Sequence, residues 1–215
     1  MPFFVKLTIS YCLFPRIVIY SKKEKLKRGT DMKKVVLYGD SIRLSYMNGV
    51  KEQLGSDFEV YSPHENCRFA KFVLRQIFED REILKDIDIV HLNSGLWDIC
   101  NLFGDGTFTT EKEYIDCMLR IADILLSKCK KVIFATTTPV RPENFYNSNK
   151  DIIRFNEIIV PLLKEKGVII NDLYTPVAAD IEKYIADDML HLSAAGVELC
   201  TGLVVNKIKE AAKEL

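Results

Sequence analysis

The chain has 215 residues, 48% of them hydrophobic, enough for one domain that buries roughly 70% of the surface its unfolded form would expose. Its 30 Lys and Arg balance 30 Asp and Glu, so no overall field favours nucleic acid or an anionic membrane surface. The six cysteines, Cys12, Cys67, Cys100, Cys117, Cys129 and Cys200, form no CxxC and no Cys/His cluster, which argues against a zinc site or a short-range disulfide framework. They are expected to be free thiols in a reducing compartment, which points to a cytoplasmic protein rather than a secreted one.

The stretch 2–20 is apolar, but Pro15 and Arg16 interrupt it short of the roughly 18 apolar residues that a membrane span requires. It is also a poor signal peptide, because the basic run 22–28 follows the apolar part and no small-x-small cleavage site lies between them. Met32 opens Met-Lys-Lys-Val-Val-Leu, which reads as the start of a first buried strand, so residues 1–31 are expected to be an extension outside a domain at 32–215. Beyond it, short β-branched runs at 34–38, 58–61, 87–92, 131–136 and 168–171 alternate with segments of helical periodicity at 43–54, 69–78, 111–127 and 151–166. A closing helix follows Ser193, a suitable N-cap. This alternation predicts an α/β fold with a five-stranded parallel sheet covered by helices on both faces. In such a sheet, functional groups sit beyond the carboxyl ends of the strands, near the switch in strand order.

Gly39-Asp40-Ser41 follows the first strand and opens a helix, where a hydroxyl is exposed and helix-terminal amides can stabilise an oxyanion. Taken alone, Ser41 there is equally an ordinary N-cap. A nucleophilic serine needs a base, and the chain offers three histidines. His91 falls within a strand and His64 in a loop beside Glu65. His191 has Asp188 three positions before it, a spacing that lets one carboxylate orient the imidazole. Alternatively, Asp188 and His191 are a surface turn ahead of the last helix.

Gly39-Asp40-Ser41-Ile42 after the first strand and Asp188-Met189-Leu190-His191-Leu192 before the last helix, with an α/β chain between, resemble the SGNH (GDSL-like) hydrolases across 33–215. The resemblance implies a flavodoxin-like three-layer α/β/α sandwich and serine esterase activity needing neither metal nor cofactor. It implies Ser41 as nucleophile, His191 as base and Asp188 as the orienting acid. The family's second block supplies a glycine amide to the oxyanion hole; here the stretch is Pro63-His64-Glu65-Asn66-Cys67-Arg68-Phe69, which nominates the Cys67 amide beside that of Ser41. Cys67 itself as a nucleophile lacks a visible acid-base pair. The third block, Gly-x-Asn-Asp in the family, reads Gly95-Leu96-Trp97-Asp98, so Asn93 or Asn66 must reach the oxyanion if that side-chain donor is retained. Trp97, the one tryptophan, is either a flat wall for a sugar ring or acyl chain, or core packing.

By analogy with compact members of the family, the expected substrate is a small acyl ester, such as acetyl on a carbohydrate, with no nucleic-acid partner. A nucleotide- or phosphate-binding module is disfavoured, because Gly39-Asp40-Ser41-Ile42-Arg43 has no glycine-rich cradle and no Walker lysine. A catalytically silent glycan-binding relative is the remaining rival. Arg141, after the fourth strand in Thr138-Pro139-Val140-Arg141, reads as a solvated rim residue.

Overall fold

A computed structural model describes residues 32–215. The expected extension at 1–31 lies outside the described residues. Five strands, β1 (Lys33–Tyr38), β2 (Phe58–Tyr61), β3 (Ile89–Asn93), β4 (Lys131–Ala135) and β5 (Ile169–Asn171), form one parallel sheet in the order β2-β1-β3-β4-β5. The predicted strands occur at their predicted places. The third starts at Ile89 rather than 87, because residues 83–86 form a 3₁₀ turn and the Asp88 side chain accepts from the Lys34 amide at 2.8 Å.

The four long predicted helices are α1 (Ser41–Leu54), α2 (Ala70–Glu79), α4 (Glu111–Leu126) and α5 (Asn149–Glu165), and the closing helix is α8 (Ala194–Ala212). Helix α1 packs against α8, while α2, α4 and α5 pack side by side, giving three layers. Both faces of the sheet are therefore covered, which is why every residue of β3 is buried and β1 ends in the buried run Val35, Val36, Leu37 and Tyr38. Ser193 caps α8, its hydroxyl accepting from the Gly196 amide at 3.1 Å, as the sequence predicts. Three helices too short for periodicity to reveal, α3 (Leu96–Ile99), α6 (Tyr174–Ala178) and α7 (Ile181–Tyr184), fill the connections.

The register puts Tyr38 beside Leu92 and Asn93 beside Ala135, so β1, β3 and β4 end level. The segments leaving them emerge side by side at the point where strand order reverses. The described cysteines, Cys67, Cys100, Cys117, Cys129 and Cys200, are all free thiols.

Candidate active site

The turn after β1 is shaped by its neighbours. Gly39 has φ 155°, and a side chain there would collide with Asn93, so glycine is required on both counts. Asp40, not Ser41, is the N-cap of α1, its carboxylate accepting from the Ile42 amide at 2.9 Å. Ser41 is thus the first helical residue, where its backbone amide has no intrahelical acceptor.

At the other end of the domain, Asp188-Met189-Leu190-His191 closes on itself. Asp188 Oδ1 accepts from the Leu190 and His191 amides at 3.1 and 2.9 Å. The His191 carbonyl accepts from the Ala186 amide at 2.7 Å, and Met189 at the tip adopts φ 68°. Asp188 Oδ2 lies 2.7 Å from His191 Nδ1, and His191 Nε2 lies 2.9 Å from Ser41 Oγ, 150 residues away in sequence. With Nδ1–H donating to the carboxylate, Nε2 is the acceptor for the serine proton. Partial burial alone would raise the Asp188 carboxyl. The His191 amide and ring and the Leu190 amide outweigh that and hold it at about 2, so it stays charged wherever a histidine base is neutral.

His91 is fully buried in β3, with Asn171 Nδ2 3.2 Å from its Nε2, and burial pushes its pKa down to about 3. His64 is an exposed loop residue. Of the three histidines, the structure brings His191 to Ser41.

Two sequence-nominated oxyanion donors are engaged elsewhere. The Cys67 amide donates to the Gly39 carbonyl at 3.0 Å, so it stitches the second loop to the turn that carries Ser41 and is not free to serve an oxyanion. Its thiol is fully buried, and burial pushes the thiol pKa up, consistent with packing rather than nucleophilic duty. Asn93 lies beneath the turn, its Nδ2 donating to Asp40 Oδ1 at 2.8 Å, so it fixes the N-cap. Asn66 sits differently. It is half-buried, its Oδ1 accepts from the Arg68 amide at 2.8 Å, and its Nδ2 has no hydrogen-bond partner among the described residues.

Trp97 in α3 is 41% exposed, which rules out the core-packing reading. Leu102, Phe103, Phe108, Phe145 and Tyr146 are exposed on the same pair of loops. These loops are joined where the Asn101 amide donates to the Tyr146 carbonyl and Asn147 Nδ2 to the Leu96 carbonyl, both at 2.7 Å. These exposed apolar side chains thus lie on adjoining loops that follow β3 and β4.

Three supporting residues escaped sequence reasoning. Arg43 is fully buried, with Nη1 donating to the Pro63 carbonyl (2.6 Å) and Ser62 Oγ (2.9 Å) and Nη2 to the Glu65 (2.6 Å) and Gly39 (3.0 Å) carbonyls. It locks the turn that carries Ser41 to the second loop, and the apolar Tyr46, Val50 and Leu54 at i+3, i+7 and i+11 on the same buried helical face were the available signal. Asp98, also fully buried, accepts from the Ala70 amide and Ser94 Oγ, and burial raises its carboxyl to about 6. Arg141 is not a solvated rim residue; its side chain is 19% exposed and donates twice to the Ile185 carbonyl, three residues before Asp188. Its place directly after a strand that ends in the crevice was the available signal. No cluster of three or more His, Cys, Asp or Glu suited to a metal ion occurs among the described residues, and no described helix is long and apolar enough to cross a membrane.

At the level of sequence, no family model matches the chain and no curated protein does. Solved structures do match. A lipase/acylhydrolase from Enterococcus faecalis is 22% identical over 83% of this chain and 96% of its own, with a TM-score of 0.71. An acetyl xylan esterase is 18% identical over 81% of this chain and 99% of its own, at 0.69. A GDSL-like lipase from Bacteroides thetaiotaomicron is 18% identical over 84% and 89%, at 0.68. These likenesses span nearly the whole of each neighbour. Residues 32–215 therefore have the fold of the SGNH (GDSL-like) hydrolases.

Proposed function

We propose that this chain is a carboxylic ester hydrolase working through an acyl-enzyme on Ser41. The observation that carries the reading is the unbroken contact from Ser41 Oγ to His191 Nε2 (2.9 Å) and from His191 Nδ1 to Asp188 Oδ2 (2.7 Å). Ser41 Oγ attacks the ester carbonyl as its proton passes to His191 Nε2. The imidazolium, oriented and stabilised by the ionised Asp188, returns that proton to the departing alcohol oxygen as the carbonyl reforms. Water then attacks the acyl-enzyme, losing its proton to His191, and the acid and free Ser41 are released. Asp188 is half-exposed, so its electrostatic support is more screened than that of a buried triad acid, and orientation is its larger contribution.

The developing oxyanion is met by the Ser41 amide and by Asn66 Nδ2, the one sequence-nominated side-chain donor left unengaged. A short acyl group, acetyl above all, on a carbohydrate alcohol is the substrate class. The support is the exposure of Trp97, Phe103, Phe108, Phe145 and Tyr146 on the adjoining loops after β3 and β4, whose flat apolar faces suit the C–H faces of a sugar ring, together with the likeness to an acetyl xylan esterase. Free thiols fit the cytoplasmic location that this reading assigns to the protein.

Trp97, standing where the family carries asparagine, favours one second reading, a glycan-binding protein without turnover. The deciding experiment is hydrolysis of p-nitrophenyl acetate and acetylated oligosaccharides by wild type and Ser41→Ala, with intact-mass analysis after a fluorophosphonate probe. Turnover and a single adduct in wild type, both lost in Ser41→Ala, are expected. Glycan binding with neither turnover nor adduct establishes the second reading instead.

A further inference from the structure

We infer that Arg141 is a positioning residue that sets the distance between the acid-base loop and the nucleophile. The inference rests on the Ser41–His191–Asp188 reading above. The segment between α7 and α8 is fastened internally. The Ala186 amide donates to the His191 carbonyl (2.7 Å), the Met189 amide to the Ala186 carbonyl (3.0 Å) and the Ser193 amide to the Tyr184 carbonyl (2.9 Å), while Ile185 and Leu192 form a bridge. Asp188 and His191 are held to each other within it. These bonds shape the loop, but none of them sets where it stands relative to Ser41.

On one side that placement comes from α8, which starts at Ala194 and packs against α1; on the other it comes from the segment leaving β4. Arg141 chelates the Ile185 carbonyl with Nε at 3.2 Å and Nη2 at 2.8 Å, and its backbone amide donates to the Met189 carbonyl at 3.0 Å. Ile185 and Met189 bracket Asp188, so the contacts grip the loop before the acid and at its left-handed tip. Asn144 Nδ2 adds a weaker contact to the Met189 carbonyl at 3.4 Å. The anchor is itself fixed, because Asn149 at the start of α5 both donates to the Val140 carbonyl (2.8 Å) and accepts from the Val140 amide (3.0 Å). A rigid path thus runs from β4 and α5 through Val140 and Arg141 to the loop that holds His191 against Ser41. The ion pairs of Arg141 with Glu182 and Asp187 end on strongly exposed carboxylates and add little. Only a planar fork can donate twice to one carbonyl while pairing outward, so lysine is not a substitute.

Removing the fork leaves Asp188 and His191 bonded to each other and the Arg141 amide on the Met189 carbonyl, but frees the Ile185 side of the loop and lets the pair drift from Ser41, and a misplacement near 1 Å costs about 100-fold. Arg141→Ala is therefore expected to lower kcat and the rate of fluorophosphonate labelling together, by about 10- to 100-fold, with KM within threefold of wild type. Guanidinium at millimolar concentration should restore part of the rate in Arg141→Ala and none in wild type. Arg141→Lys should fall between the two, and Glu182→Gln should stay within twofold. Hydrogen exchange, which requires no turnover, should show faster exchange at the 185–191 amides in Arg141→Ala and unchanged protection in β1 and β3. Wild-type rates in Arg141→Ala, an equal loss in Glu182→Gln, or unchanged exchange at 185–191 would each overturn the proposal. If wild type neither labels nor turns over, the triad reading fails, and the exchange measurement still decides whether Arg141 fixes the loop.

Discussion

Replacing Arg43 with methionine separates a buried cation that organises the nucleophile turn from one that is merely tolerated. The guanidinium is wholly inside and ends on the Pro63, Glu65 and Gly39 carbonyls and on Ser62 Oγ. Gly39 and Ser62 keep other partners in the variant, through the Cys67 amide and the Leu37 carbonyl respectively. The buried Pro63 carbonyl does not, and the part-buried Glu65 carbonyl retains only a long contact to the Cys67 thiol. Orphaning such an acceptor costs about 1–3 kcal/mol. The variant also loses the positive charge that favours the ionised form of buried Asp40, whose carboxyl is already raised by burial. Against this, a desolvated guanidinium no longer has to be accommodated, and similar cases net to about 3 kcal/mol of destabilisation. At a denaturant slope of about 2 kcal/mol per molar urea, the unfolding midpoint should fall by about 1.5 M. The assay is urea unfolding followed by circular dichroism, with ester turnover measured well below the midpoint, where loosening of the Gly39–Cys67 stitch should lower kcat. A midpoint shift under about 0.5 M with undiminished turnover would refute the assignment.

Asn66→Ala should reduce kcat by about 100- to 1,000-fold with little change in KM, the signature of a donor that acts on the oxyanion; an unchanged kcat would return that role to backbone amides alone. His91 sets a stability trend with pH. Burial holds its pKa near 3 against 6.5 for the free side chain, so below about pH 6.5 the unfolded chain takes up the proton that the folded chain refuses. Stability is therefore lost as pH falls from about 6.5 toward 3, by about 1.5–2 kcal/mol between pH 6.5 and 5. Asp98, raised to about 6, binds its proton earlier when folded and acts in the opposite sense over this window. The difference between wild type and His91→Gln isolates the histidine, and equal slopes in the two would discard the account.

The fold was legible because its information is local and repeated. Short β-branched runs and helical periodicity gave five strands and five long helices, and Ser193 announced α8 through one capping hydroxyl. The ends of the site were legible for a similar reason, since Gly39-Asp40-Ser41 and Asp188-x-x-His191 are each short turns whose chemistry lies within a few residues. What failed were assignments that depend on which partner a group meets across the sheet. The Cys67 amide and Asn93 are polar groups in the expected neighbourhood. Whether they face substrate or brace the turn depends on the pairing of β1 with β2, whose following loop brings Cys67 to Gly39, and with β3, which brings Asn93 to Asp40. Arg141 read as a solvated rim residue, and Arg43 drew no role, because an arginine's sequence neighbours do not name the distant carbonyls its fork will find. By itself, then, the sequence determined the layers, the turns and the residue types that the proposed triad would use, all encoded within a turn or a helical repeat. Only tertiary structure decided which polar atoms remain free to act and which are consumed in holding Ser41 and His191 together, because hydrogen-bond partners 20 to 150 residues apart are chosen by packing.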